Sequence, residues 1–197
     1  DSGNTGGSDN GEYLFYDAFS DVTEGNNTTT DGAYPLWTGN ANFPNTNNVY
    51  NAGGAVKLGS GSKTGSLTSK TIPCNGGTLC VALDVKGWTS VEGELLVSLT
   101  GGGTKEIAYT STRTGKFETK TMTFTNVSAN PILKIETSAK RAYVDNVRVW
   151  NPAATGITLP EQDAKPHIIC TISGQRVLGM PEAPGIYIID GRKIVVR

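Results

Sequence analysis

A chain of 197 residues, 37% of them hydrophobic, can bury one sizeable apolar core and still carry a small appendage. With 17 basic and 18 acidic residues spread along it, the net charge is −1, which argues against nucleic acid, anionic membrane and other polyanions as partners. No apolar run approaches the roughly 20 residues that span a bilayer, so no membrane-spanning segment is expected.

The first eleven residues, DSGNTGGSDNG, hold no apolar side chain and are expected to be a flexible leader. Because the chain starts at Asp1 rather than Met, the leader reads as the tether of a processed product, one that follows a lipidated cysteine. From Glu12 the character changes. EYLFYDAF is the first of nine candidate strands, each rich in β-branched or aromatic residues and bounded by Gly, Asn, Asp or Pro.

Residues 31–50, DGAYPLWTGNANFPNTNNVY, set Tyr34, Trp37, Phe43 and Tyr50 among asparagines that include Asn40 and Asn42, with no clear strand. Loops of this length are uncommon unless functional or packed on themselves. Sugars present C–H faces that stack on aromatic rings and hydroxyls that pair with amides, so these six residues are candidate glycan ligands. The competing reading makes Trp37 and Phe43 a plug at the open end of a sandwich, with the asparagines holding turns.

GAVKLG and SLTSKTI follow as strands around LGSGSKTGS, a loop that lacks both the phosphate-loop signature and a following helix. Cys74 and Cys80 bracket the turn CNGGTLC and are expected either to form a disulfide across it or to pack as buried thiols. In TLCVALDVKG, Leu79, Val81, Leu83 and Val85 share one face, the mark of a half-buried strand. Trp88 then sits on a rim beside the other candidate aromatics or caps the core. Asp84, Glu92 and Glu94 are the carboxylates closest to a glycosidase pair, but Glu92 and Glu94 flank Gly93 in what reads as a hairpin turn, so solvated turn charges are the expectation.

ELLVSLT is a strand, and KEIAYTSTRTGKFETKTMTFT reads as a hairpin with a Thr-Gly turn and one solvated face. After PILKIET comes AYVDNVRVW, where alternation puts Tyr143, Asp145, Val147 and Val149 on one face. A carboxylate facing a core needs a partner. Residues 151–166, with three prolines, are a predicted linker. The remaining residues, 167–197, carry two hairpin signals, Ser173-Gly174 and Asp190-Gly191, with Cys170 read as packing. The single histidine, His167, lies in that tail, so the main domain lacks the residues for Ser-His-Asp, Cys-His or HExxH chemistry.

Nine short strands without helical periodicity predict an all-β, antiparallel two-sheet sandwich, a jelly roll, over 12–150. The run from LFYDAFSD through AVKLGSGSKTGSLTSKTI to AYVDNVRVW resembles the jelly-roll modules of secreted Bacteroidetes proteins, which are related in plan to carbohydrate-binding modules and to choice-of-anchor and MAM-type sandwiches. ISGQRV followed by GIYIIDGRKIVVR is similar to the C-terminal sorting segments of that phylum. In such jelly rolls the first strand lies beside the last, and a structural calcium is often held there. Carried over by position, its ligands are Asp17 and Asp145. Read from the residues alone, Asp145 instead accepts backbone N–H groups at a bulge.

The resulting expectation is a non-catalytic, monomeric carbohydrate-binding domain, secreted or on the outer cell surface, whose partner is a glycan or polysaccharide. A structural or adhesion sandwich that binds another protein domain is the alternative, and a glycoside-active enzyme a distant third.

Overall fold

The computed structural model describes residues 13–29 and 31–153, together with strands at 169–171, 176–177, 185–189 and 192–196. The expected leader at 1–11 and residues 154–166 of the expected linker lie outside the described residues.

Strands are numbered along the chain. One antiparallel sheet contains β1 (Phe15–Asp17), β3 (Val49–Asn51), β4 (Val56–Leu58), β6 (Gly77–Gly87), β9 (Glu118–Val127) and β11 (Ala142–Trp150). It runs β3-β4-β11-β6-β9, with β1 also paired to β11. The second, β2-β5-β10-β7-β8, contains β2 (Asn45–Asn47), β5 (Ser66–Thr71), β7 (Leu95–Leu99), β8 (Gly103–Ile107) and β10 (Ile132–Thr137). This is the predicted all-β sandwich. The first strand does lie beside the last, Phe15 opposite Val149 and Asp17 opposite Val147.

Alternation builds the core. Leu79, Val81, Leu83 and Val85 of β6 are fully buried in one cluster with Leu95 and Val97 of β7 and Leu133 and Ile135 of β10. Burying a side chain of this size contributes about 1.5–3 kcal/mol, so this one face of β6 supplies much of what holds the sheets together.

Three expectations are corrected. The stretch 31–50 does form strands, β2 and β3, and Leu36 makes an isolated bridge to Tyr50. The supposed Thr-Gly hairpin is a crossover: β8 is the edge of the second sheet and β9 the edge of the first, because the backbone of each is hydrogen-bonded to a different strand, β7 and β6 respectively. Finally, the faces of β11 change phase midway. Its register against β6 shifts between Asp145 and Arg148, and Asn146 takes a left-handed conformation with φ of 48°. Ala142 and Val144 face the core before this bulge, Val147 and Val149 after it. Tyr143 and Asp145 therefore point to the outer side of the sheet, and the carboxylate does not face the apolar core. Its Oδ1 accepts the Asn146 N–H at 2.7 Å.

The chain divides into two compact units after Thr155. In the second, β12 (Ile169–Thr171), β13 (Arg176–Val177), β14 (Gly185–Ile189) and β15 (Arg192–Val196) form an antiparallel sheet in the order β13-β12-β14-β15. The two hairpin signals of the tail fall between β12 and β13 and between β14 and β15.

Candidate functional site: aromatic rings and cations on the outer sheet face

Because β3, β4, β11 and β6 are neighbours, residues facing away from the core line up across them. Tyr50 is opposite Lys57, Lys57 opposite Tyr143, and Tyr143 opposite Lys86. Each is flanked in sequence by core residues, Val56 and Leu58 around Lys57 and Ala142 and Val144 around Tyr143. Two lysines thus lie within apolar strands only because the strand period turns them outward.

Loops close over this row. Tyr143 is 0% exposed and forms a second small core with Ala52 and Ala55, against which Tyr34, Trp88 and Phe117 pack. Trp88 stacks on Tyr143 at 5.7 Å between centroids with 26° between planes, and Tyr34 meets Trp88 edge-on at 5.1 Å. The Tyr34 hydroxyl donates to the Thr29 carbonyl and lies 3.4 Å from the Tyr143 hydroxyl.

Cations are threaded through the rings. Lys57 Nζ sits 3.9 Å from the Tyr50 centroid, 5.4 Å from Tyr34 and 5.5 Å from Trp88, and donates to the Gly59 carbonyl at 2.9 Å. Gly59 has φ of 77°, and a Cβ there would lie 1.9 Å from the Lys140 carbonyl oxygen, so glycine is needed to present that acceptor. Burial lowers the Lys57 ammonium to about 8, with Arg141 pushing the same way and Glu92 opposing. Lys86 Nζ donates to Asn27 Oδ1 at 3.0 Å and the Arg113 carbonyl at 3.2 Å, above the Phe117 ring; burial lowers its pKa too. Arg141 lies 5.1 Å from the Trp88 ring and Arg113 6.0 Å from it.

Glu92 is not the solvated turn charge expected. Arg141 Nε donates to its Oε2 at 2.8 Å and Nη2 donates to Oε1, a bidentate pair that lowers the Glu92 pKa and raises that of Arg141. Its partner lies 49 residues away, beyond anything a turn signal reports. Glu94 Oε2 accepts from Ser138 Oγ at 3.1 Å.

Of the seven candidate ligand residues, the structure brings together Tyr34, Tyr50 and Trp88. Trp37 and Phe43 are corrected to core positions, 6% and 0% exposed, because Phe19 and Phe15 come across to meet them. Asn40 holds a turn, its Oδ1 accepting from the Asn42 and Phe43 N–H groups and its Nδ2 donating to Asp17 Oδ2 at 2.9 Å. Asn42 Nδ2 donates to the Tyr16 carbonyl. Lys57, Lys86, Arg113, Arg141, Phe117 and Tyr143 were not singled out as ligands. For the lysines the available signal was their place in the alternation of GAVKLG and LDVKG.

The expected disulfide is also corrected: both thiols are free. Cys74 packs against the main core, whereas strand alternation sends Cys80 to the outer face, 3.5 Å from Thr123 Oγ1. The sulfurs therefore lie on different sides of the sheet despite the short turn.

At the β1–β11 junction, Asp17 is buried, with Oδ1 accepting the Phe19 N–H at 2.8 Å and Oδ2 the Asn40 amide. Asp145 is raised to about 6 by burial, with its bond from Asn146 opposing and the charges of Asp84 and Asp17 adding to the rise. A cation would relieve that repulsion. Against this, each oxygen of the pair already accepts a protein hydrogen bond, and among the described residues no three His, Cys, Asp or Glu side chains are placed to hold a metal.

No protein-family model matches the chain, and no curated protein matches it in sequence. Solved structures to which it is similar include BiXyn10A CBM1 (13% identity, 71% of this chain and 99% of that one, TM-score 0.44). Another is the CBM22-1 xylan-binding domain of Paenibacillus barcinonensis Xyn10C (14% identity, 71% and 94%, TM-score 0.42). A third is an exo-β-1,3-galactanase from Phanerochaete chrysosporium (21% identity, TM-score 0.38); the match takes in 49% of this chain and 23% of the galactanase. Among the described residues no helix is long and apolar enough to cross a membrane.

Proposed function

We propose that the chain is a non-catalytic carbohydrate-binding module and that glycan docks at the cluster on the outer face of the β3-β4-β11-β6-β9 sheet. The observation that carries this reading is the convergence of Tyr34, Tyr50 and Trp88, all partly exposed, around the Lys57 ammonium. Aromatic faces suit the C–H surface of a pyranose, and the cations donate to its hydroxyls. Calorimetric titration of the intact chain against a polysaccharide panel tests it. Trp88→Ala is expected to weaken binding at least about tenfold, which is ~1.4 kcal/mol. An unchanged affinity, or a panel with no binder, would remove the reading.

A second reading is favoured by how completely the middle of the cluster is packed, with Lys86 3% and Lys57 6% exposed. Here the rings and cations fasten loops, and the surface meets another protein or domain. Trp88→Ala would then lower the melting temperature of a protein that binds no glycan.

Three finer points belong to the proposal. The chain is a monomer that works outside the cytoplasm, secreted or on the outer cell surface, where polysaccharides are met. The protein is held there by a lipid anchor, and its plan is that of the secreted Bacteroidetes modules, with a tail of the sorting type. A calcium ion bound through Asp17 and Asp145 stabilises the junction of first and last strands, which chelation tests.

A further inference from the structure

We infer a second carbohydrate contact on the same outer sheet face, a platform of Tyr13, Tyr16 and Trp150 at the far end of β11, where an extended, neutral polysaccharide chain that reaches the Trp88 cluster also docks. This rests on the carbohydrate reading and adds the form and charge of the ligand. Tyr16 of β1 is opposite Arg148, and Trp150 ends β11. Their neighbours Phe15 and Val149 face the core, so strand alternation turns both rings outward. The Tyr13 ring joins them, stacked on Tyr16 at 5.9 Å between centroids and edge-on to Trp150 at 6.1 Å. None of the three belongs to either core or is among the residues packed against one. Tyr16 is 46% exposed, and Tyr13 and Trp150 are partly exposed. A group of rings that closes no core and stays open to water marks a surface for a ligand.

What borders the rings decides the ligand. Across β6, Arg148 and Trp150 lead to Thr121 and Thr123 of β9, and the Tyr16 hydroxyl donates to Asn146 Oδ1 at 3.2 Å. The centre of a protein–protein interface is apolar and depleted of charge. Rings bordered by hydroxyls, an amide and carboxylates instead offer stacking and hydrogen bonding side by side, which is what a pyranose needs. Between this platform and the Trp88 cluster, Asp84 lies opposite Asp145, both partly exposed. Carboxylates there accept from sugar hydroxyls and repel a uronate chain, so the ligand is neutral. At about 3.3 Å per residue, Trp150 stands roughly 20 Å along β11 from Tyr143, so only a chain of several sugars engages both ends.

The test is calorimetric titration of the full chain with cello-, xylo- and laminari-oligosaccharides of two to six units, with polygalacturonate as the acidic comparison. For at least one neutral series the six-unit ligand is expected to bind about tenfold or more tightly than the three-unit one. That gain should be lost in Tyr16→Ala and in Trp150→Ala and kept in Tyr16→Phe, which retains the ring. Melting curves identify any variant that fails to fold, and Tyr13→Ala, the third ring, then takes its place. A gain untouched in the folded Ala variants overturns the second contact and leaves the carbohydrate reading at Trp88 standing. A gain lost in them but indifferent to Trp88→Ala keeps the platform and overturns the chain that runs to the other end. Binding of no series overturns both readings, and polygalacturonate binding as tightly as the best neutral ligand overturns the neutral class. A dimer in sedimentation velocity that Tyr16→Ala dissolves, with glycan binding unchanged, would give the rings to a second copy of the chain and overturn the inference.

Discussion

Asp145→Asn is expected to stabilise the protein at neutral pH. The side chain sits at the β11 bulge on the outer sheet face, half-buried, with Asp84 and Asp17 nearby, and its carboxyl is raised from 3.8 to about 6. A folded-state pKa above the unfolded one means that the folded protein holds the proton more tightly. Its stabilising contribution is therefore complete below pH 3.8 and is lost as pH rises through about 6. Two pK units correspond to about 3 kcal/mol, and because the group is partly exposed, solvent screening reduces this to about 1–2 kcal/mol. Asparagine keeps an oxygen for the Asn146 N–H and removes the charge, so at pH 7 in excess chelator the variant should melt about 3–6 °C above the parent, narrowing to nothing near pH 4. Circular-dichroism melts at both pH values check it. A variant that is no more stable at pH 7, with a difference that does not move with pH, would refute the electrostatic argument. Adding calcium separates the metal reading: a melting temperature that rises in the parent and not in the variant would place an ion on Asp145.

Other consequences are as direct. Native alkylation without reductant, followed by mass spectrometry, should label Cys74 before Cys80 and both after unfolding; a peptide linked through Cys74 and Cys80 would contradict the separation of the two thiols by the sheet. The Lys57 ammonium should titrate with a midpoint near 8 in NMR of dimethylated lysines, and a normal value would mean that the ring cage is open to water. Phe43→Ala should cost about 3–5 kcal/mol in denaturant unfolding, the loss expected for a fully buried aromatic, and a near-neutral effect would return that ring to the surface.

Strand existence was legible because it is local. A period of two and turn residues at intervals locate β1, β4 and β5 through β11 from the chain alone, and the buried face of β6 follows from Leu79, Val81, Leu83 and Val85 without reference to any partner. The aromatic content of the chain likewise singled out Tyr34, Tyr50 and Trp88, which the fold brings together around Lys57. What alternation cannot report is an insertion in its own phase. The left-handed residue within β11, Asn146, turns Tyr143 and Asp145 away from the core that Val147 and Val149 face, and that choice is made by register against β6. Nor can local pattern say which sheet receives a strand, so a crossover between β8 and β9 read as a hairpin. The cluster of cations is the clearest case. Lys57, Lys86, Arg113 and Arg141 come from four separate stretches, and only the lateral order of β4, β11 and β6, with the loops folded over them, places their charges around the same two rings.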